Sequence, residues 1–228
     1  MADYNVQIKN IILQNDLYYK RNLLLSYKIE YPQLFSDKFQ KNLNKINEFY
    51  KTKALELERE CYEISFKIAI EQYEYSIRND FPIRKFEIIL NYEITFNQDC
   101  VVSLYFDKYQ YMGGAHGSTI RVSDTWNIQS GNRIMLYNMF TPTVKYIEYI
   151  LLRINRQIEI QLNTDENFMY FDNYDRKVFM SFDINNFYLT KYGVVIYFQQ
   201  YDIAPYASGI PEFMIPYHCG IVICPRCR

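Results

Sequence analysis

Apolar and polar residues alternate over residues 4–13, the period of a half-buried strand. Residues 22–30 read as a second extended segment, and Pro32 pushes Tyr31 toward extended or turn geometry. From Ser36 the period changes. Apolar or weakly polar side chains recur at Phe39, Leu43, Ile46, Tyr50, Ala54, Leu57, Cys61, Ile64 and Ile68, always three or four residues apart. That spacing predicts one amphipathic helix over about 36–79. Ser36–Asp37 would supply its N-cap oxygens, and Pro82 would end it. A stripe this long packs across a sheet of its own chain or pairs with a second copy. The first is the expectation, and the second leaves a homodimer open.

Period two then returns. Phe86, Ile88, Leu90, Tyr92, Ile94 and Phe96 predict a strand over 85–97, a turn at 97–99 and an antiparallel mate over 100–111. A glycine-rich loop at 113–117, a strand over 118–128 and a turn at 130–132 come next. Thr141–Pro142 resembles a helix start, and Val144, Ile147, Leu151, Ile154, Ile158 and Leu162 continue it to about 162. Residues 163–176 read as a loop. Phe187–Leu189 and 194–202 form a hairpin, and loop 203–211 leads to a last strand over 213–216.

The predicted class is therefore α+β, with antiparallel sheet(s) and one long and one shorter amphipathic helix packed on them. No βαβ rhythm is visible. A cysteine-containing tail lies at 218–228.

Composition narrows the functional classes. The 25 Lys+Arg and 26 Asp+Glu give a formal charge of −1, which lacks the basic surplus of a nucleic-acid binder. With 49% hydrophobic residues the chain is not disordered. No apolar run approaches the ~20 residues of a membrane span, and the N-terminus lacks a signal-peptide pattern. As written, the chain reads as cytoplasmic.

Five cysteines (Cys61, Cys100, Cys219, Cys224 and Cys227) make an odd count and a poor disulfide framework. Cys224 and Cys227 have the CxxC spacing of half a zinc site or a redox pair. His218, Cys219, Cys224 and Cys227 are the only local four-ligand set. The expectation is a reduced, mobile tail that holds no metal.

Two loops could carry chemistry. The first, Tyr111-Met-Gly-Gly-Ala-His-Gly-Ser118, has glycines that permit close approach and His116 at its tip. Its spacing is not that of a phosphate-binding loop, and no cofactor motif is present. His116 is read first as a turn residue bonded to backbone, with a general base as the alternative. The second loop spans Tyr201 to Phe213. Pro205 and Pro211 stiffen it and Gly209 permits a turn, so Tyr206 would sit on a rigid arm. The alternative is that Tyr206 caps the core.

Taken together, Tyr109-Gln-Tyr-Met-Gly-Gly-Ala-His-Gly117, Asn185-Asn-Phe-Tyr-Leu189, Gly193-Val-Val-Ile-Tyr-Phe198 and Tyr201-Asp-Ile-Ala-Pro-Tyr-Ala-Ser-Gly-Ile-Pro-Glu-Phe213 resemble the PdaC/RsiV-like domain family. The similarity runs in order from about residue 4 to residue 217. That domain occurs in the extracellular part of a lysozyme-sensing anti-sigma factor and beside a polysaccharide deacetylase domain. The resemblance implies an α+β fold in which residues 1–120 and 121–217 pack as one unit, an extracytoplasmic setting and no catalysis by this domain. It also implies a partner that is a lysozyme-like protein or a peptidoglycan fragment. The implied contacts are Tyr111, Gly113, Gly114, His116, Ser118, Tyr201, Pro205, Tyr206 and Gly209. A structural or assembly protein of the cell or spore surface is the alternative, and an enzyme centred on His116 ranks below it.

Overall fold

In the computed structural model, which describes residues 5–165 and 169–227, the first alternating segment becomes a long hairpin. Strands β1 (Gln7–Tyr19) and β2 (Asn22–Phe35) pair antiparallel from Gln7↔Phe35 to Tyr19↔Asn22, with a bulge at Leu17/Tyr18. The predicted strand start at Tyr4 lies outside the described residues. Lys20 and Arg21, both at positive φ, make the tight turn. β2 runs through Pro32, which is tolerated because the second partner of β2 pairs only Leu25–Ile29.

That second partner is β3 (Phe86–Gln98), and it lies parallel to β2, from Leu25↔Phe86 to Ile29↔Leu90. The expectation of purely antiparallel pairing is corrected here. A parallel pair needs a long crossover, and the long helix supplies it, so β2, the helix and β3 form a βαβ unit that the local pattern does not reveal.

The helix itself differs from the prediction in two ways. It begins at Gln40 rather than Ser36, and no side chain caps it; instead the Ser36 N–H donates to Gln40 Oε1 (3.2 Å). It is also interrupted. α1 (Gln40–Glu60) passes into a π turn at Cys61–Ser65 and resumes as α2 (Phe66–Arg78). The π turn inserts a residue and rotates the faces of α2 relative to those of α1. Leu43, Ile46, Tyr50, Ala54, Leu57 and Cys61 are buried as the stripe predicts. Beyond them Ser65 and Ala69 face inward, while the expected Ile64 and Ile68 are 55% and 43% exposed.

Strands β4 (Val101–Tyr111), β5 (Ser118–Asn127) and the short β6 (Asn132–Arg133) complete a six-stranded sheet in the order β1-β2-β3-β4-β5-β6. The turn between β3 and β4 is Asp99–Cys100, both at positive φ. A second sheet has the order β7 (Phe187–Leu189), β8 (Gly193–Tyr197), β9 (Glu212–Pro216), all antiparallel.

The second long helix, α3, spans Tyr146–Thr164 and buries Ile150, Ile154 and Ile158. Thr141 does not open it. Its hydroxyl donates to Gly220 O (2.8 Å) and its amide to Ile221 O (3.0 Å), so the side chain is committed elsewhere. An eight-residue helix, α4 (Tyr174–Ser181), stands where a loop was expected. It buries only Val178, too little to show a period. The rest of that predicted loop includes 166–168, outside the described residues.

The chain divides into two units. One comprises Val6–Tyr92 and Phe106–Ile120, the other Glu93–Tyr105 and Arg121–Arg228. The first has a core of Leu24, Leu25, Ile29, Leu57, Phe86 and Ile88, sheet against helix. The second has a core built from α3, α4 and the second sheet, including Ile154, Val178, Ile196, Phe198 and Phe213. Among the described residues no helix is long and apolar enough to cross a membrane.

The expectation of a reduced, mobile tail is corrected in part: Cys219 and Cys224 are free thiols, but Cys227 is not. Val222 is buried in that second core and bridges both Phe140 and His218. Cys227 is bonded to Cys100, 127 residues away. The four-ligand zinc alternative loses one thiolate to this bond.

Candidate functional site

The glycine-rich loop belongs to the first unit and joins β4 to β5. Gly113 sits at φ +84°. The guanidinium of Arg84, a residue the sequence did not single out, donates through Nη1 to Gly113 O (2.6 Å) and Gly114 O (2.7 Å). Tyr111 donates its hydroxyl to Gly114 O (3.1 Å). A Cβ at Gly117 would lie 2.3–2.5 Å from the end of the Tyr109 phenol, so that side chain would have to swing aside. His116 is exposed, with Nδ1 2.9 Å from Gly117 O, the short-range turn bond of the first reading. Ser118 is exposed at the start of β5. The loop turns carbonyls toward an arginine, which is opposite in sign to an anion cradle.

The second loop belongs to the other unit and joins β8 to β9. Its base is tied at several points. The Gln199 amide N–H donates to Asp202 Oδ2 (2.8 Å), and the Asp202 N–H donates back to Gln199 O (3.1 Å). Burial raises the Asp202 carboxyl above the usual range. Ile203 and Ala204 plug the core, and Ile203 O accepts from Phe171 N (3.1 Å). Beyond Pro205 the chain makes one 3₁₀ turn, Tyr206–Ser208, closed by Gly209 N to Tyr206 O (3.0 Å). Gly209 lies at φ +67°, a conformation L side chains rarely adopt. The Ser208 hydroxyl donates to Met169 O (3.1 Å).

This framework presents two tyrosines. Tyr201, at φ +69° and 51% exposed, lies against Tyr206 with ring centroids 5.8 Å apart and planes 32° from parallel. Tyr206 itself is half-buried, so it is partly a cap and partly a surface. Both rings stand out in the sequence, but their pairing does not.

A buried arginine cluster in the same unit has no sequence signal. Arg121 on β5 is 7% exposed, with its guanidinium 3.7 Å above the Tyr105 ring centroid and paired to Glu212 on β9. Glu212 also accepts from the Tyr188 hydroxyl (2.9 Å), and Tyr105 donates to Glu93 (2.5 Å). The Gln199 side chain clamps the Arg121 backbone, accepting from its N–H (2.9 Å) and donating to its C=O (2.7 Å). Tyr197 meets the Ser123 hydroxyl (3.1 Å), and burial pushes its phenol up to about 12. Ile210, one residue after Gly209, packs on the buried group of Tyr188, Val195 and Tyr197. The cluster thus anchors the second loop at both ends, through Gln199 and Ile210. A lone arginine in an alternating strand does not announce such a cluster, because every partner comes from a distant strand.

Residues 19–119 match the family described as "Deacetylase PdaC", and residues 137–218 match "Protein of unknown function (DUF3298)". The two matches cover about four fifths of the chain. None of the curated proteins matches by sequence. Among solved structures, a DUF3298 family protein from Bacteroides fragilis is 18% identical with a TM-score of 0.65, over 94% of this chain and 92% of that one. A second from Pseudomonas aeruginosa PAO1 is 17% identical with a TM-score of 0.59, over 96% and 94%. At that identity the likeness is one of fold. With its PdaC segment ahead of a DUF3298 segment, the chain belongs to the PdaC/RsiV-like domain family.

Proposed function

We propose that this protein is a non-catalytic binding domain that recognises a lysozyme-like protein or a peptidoglycan fragment outside the cytoplasm. The observation that carries the reading is the Tyr201–Tyr206 pair on its cross-tied loop. Aromatic rings held in place lose little entropy on binding, and they suit both a protein hot spot and a sugar face. The glycine-rich loop, with Tyr111, Gly113, Gly114, His116 and Ser118, is the second contact surface. The Cys100–Cys227 bond supports an oxidising compartment, where disulfides persist. The deacetylase of the family's name is assigned no counterpart in this domain. His116 bonds its own neighbour's carbonyl, which favours a turn role over acid–base work.

Calorimetric titration with lysozyme and with muropeptides tests the proposal. Saturable binding to one of them, weakened about tenfold or more by Tyr206→Ala, is the expected result. Binding indifferent to Tyr206→Ala and Tyr201→Ala would remove the loop from the site. No binding to either probe would remove the ligand class.

A further inference from the structure

Three of the five cysteines lie in the last ten residues, and they are in different states. Cys227 is bonded to Cys100, while Cys219 and Cys224 carry exposed free thiols. Cys100 is buried, whereas Cys227 is half-buried. Cys224 stands three residues before Cys227 and lines with it a cavity of about 480 Å³ against Val101, Ile134 and Met139. A neighbouring cavity of about 390 Å³ is lined by both Cys219 and Cys224. The Ile223 amide donates to Met139 O (2.8 Å); beyond it, among the described residues, no backbone hydrogen bond holds Cys224–Cys227. The end of the chain is tied by sulfur rather than by backbone.

We propose that this segment is a thiol–disulfide exchange site, with Cys224 as the attacking thiol and the Cys100–Cys227 bond as its target. Cys224 loses a proton and its thiolate attacks Sγ of Cys227, the more accessible of the two bonded sulfurs. A Cys224–Cys227 bond forms, the Cys100–Cys227 bond breaks, and Cys100 departs as a thiolate that takes up a proton. One disulfide and one thiol enter, and one of each leaves, so no outside oxidant is consumed. Cys219 repeats the step on Cys224 and releases Cys227. The bond thereby moves from a buried turn to the surface, where a small thiol exchanges with it. Burial of Cys100 disfavours its thiolate, so the Cys100–Cys227 isomer is the resting form, and an external thiol draws the exchange forward. The simpler reading is a structural disulfide with two bystander thiols.

The intact chain, incubated natively with reduced glutathione, alkylated and digested with trypsin, separates the two. Cleavage after Arg226 parts Cys224 from Cys227, and fragment-ion spectra of the 192–226 peptide tell Cys224 from Cys219, so each linkage is identified. Exchange predicts a Cys224–Cys227 peptide and alkylated Cys100 in the wild type. Cys224→Ser, at an exposed position that leaves the resting bond intact, should keep Cys100 protected and slow loss of the bond about tenfold or more. Cys219→Ser should instead accumulate the Cys224–Cys227 isomer. Absence of that isomer in the wild type, or equal loss of the bond in wild type and Cys224→Ser, overturns the proposal.

Discussion

Replacing Gly193 by alanine tests whether the second sheet is as closely drawn as its geometry states. Gly193 opens β8 opposite Pro216 of β9. A Cβ there would lie 2.3 Å from Ile215 O, 2.8 Å from Pro216 Cα and 2.9 Å from Ile215 C. These are backbone atoms in a paired strand, so no side chain can swing aside. Restoring ordinary contact needs a displacement of about 1 Å, at the end of β9 that also carries the bond from Tyr217 N to Tyr192 O (3.2 Å). Overpacking of this kind costs about 1–3 kcal/mol, and a weakened backbone bond adds about 1 kcal/mol. The expected loss is about 2–4 kcal/mol, or about 4–8 °C in Tm for a chain of this length. Urea and thermal unfolding tracked by circular dichroism measure it. Gly114→Ala is the control. A Cβ there meets nothing nearer than His116 O at 3.8 Å, so its effect should stay within about 0.5 kcal/mol. Equal stability of Gly193→Ala and Gly114→Ala would refute the argument.

Arg121→Met should cost about 1–3 kcal/mol by removing the stack on Tyr105 and the pairing with Glu212, and should loosen the second loop as read by faster amide exchange at 199–211; unchanged exchange there would deny the anchoring role. The Tyr197 phenol titrates near 12 in the folded state against about 10 unfolded, so the stability it holds below about pH 10 falls as pH rises toward 12, by about 3 kcal/mol in all. Ultraviolet difference titration of Tyr197→Phe against wild type should lose one late-titrating phenol, and loss of an ordinary one instead would contradict the burial. Cys100→Ser opens a 127-residue loop and should lower unfolding free energy by about 3–5 kcal/mol; a change below about 1 kcal/mol would show that the bond does not constrain the unfolded chain.

Much of the architecture is legible because buried faces impose their period. The strands near 86–98, 101–111 and 118–127 and the inward residues of α1 from Leu43 to Cys61 can be read directly from spacing. Features that depend on a distant partner or on backbone geometry escape. The π turn at Cys61–Ser65 leaves the local apolar count intact while changing which residues it applies to, so Ile64 and Ile68 belong to the pattern and yet face outward. The parallel pairing of β2 with β3 is invisible locally, because strand direction is set by the crossover. Thr141 resembles a cap until the end of the chain claims its hydroxyl. The candidate loops show themselves through glycine, proline and tyrosine. Arg84 and Arg121, which hold one loop each, do not, since an arginine in isolation gives no sign of its eventual contacts.

The Cys100–Cys227 bond makes a covalent ring of everything between those residues. A protease that cuts once within 101–226 opens the ring but frees no fragment. Such a nicked chain migrates as two pieces only after reduction. A protein built this way tolerates a single cleavage in any loop within the ring, including the one that carries Tyr201 and Tyr206, without losing mass.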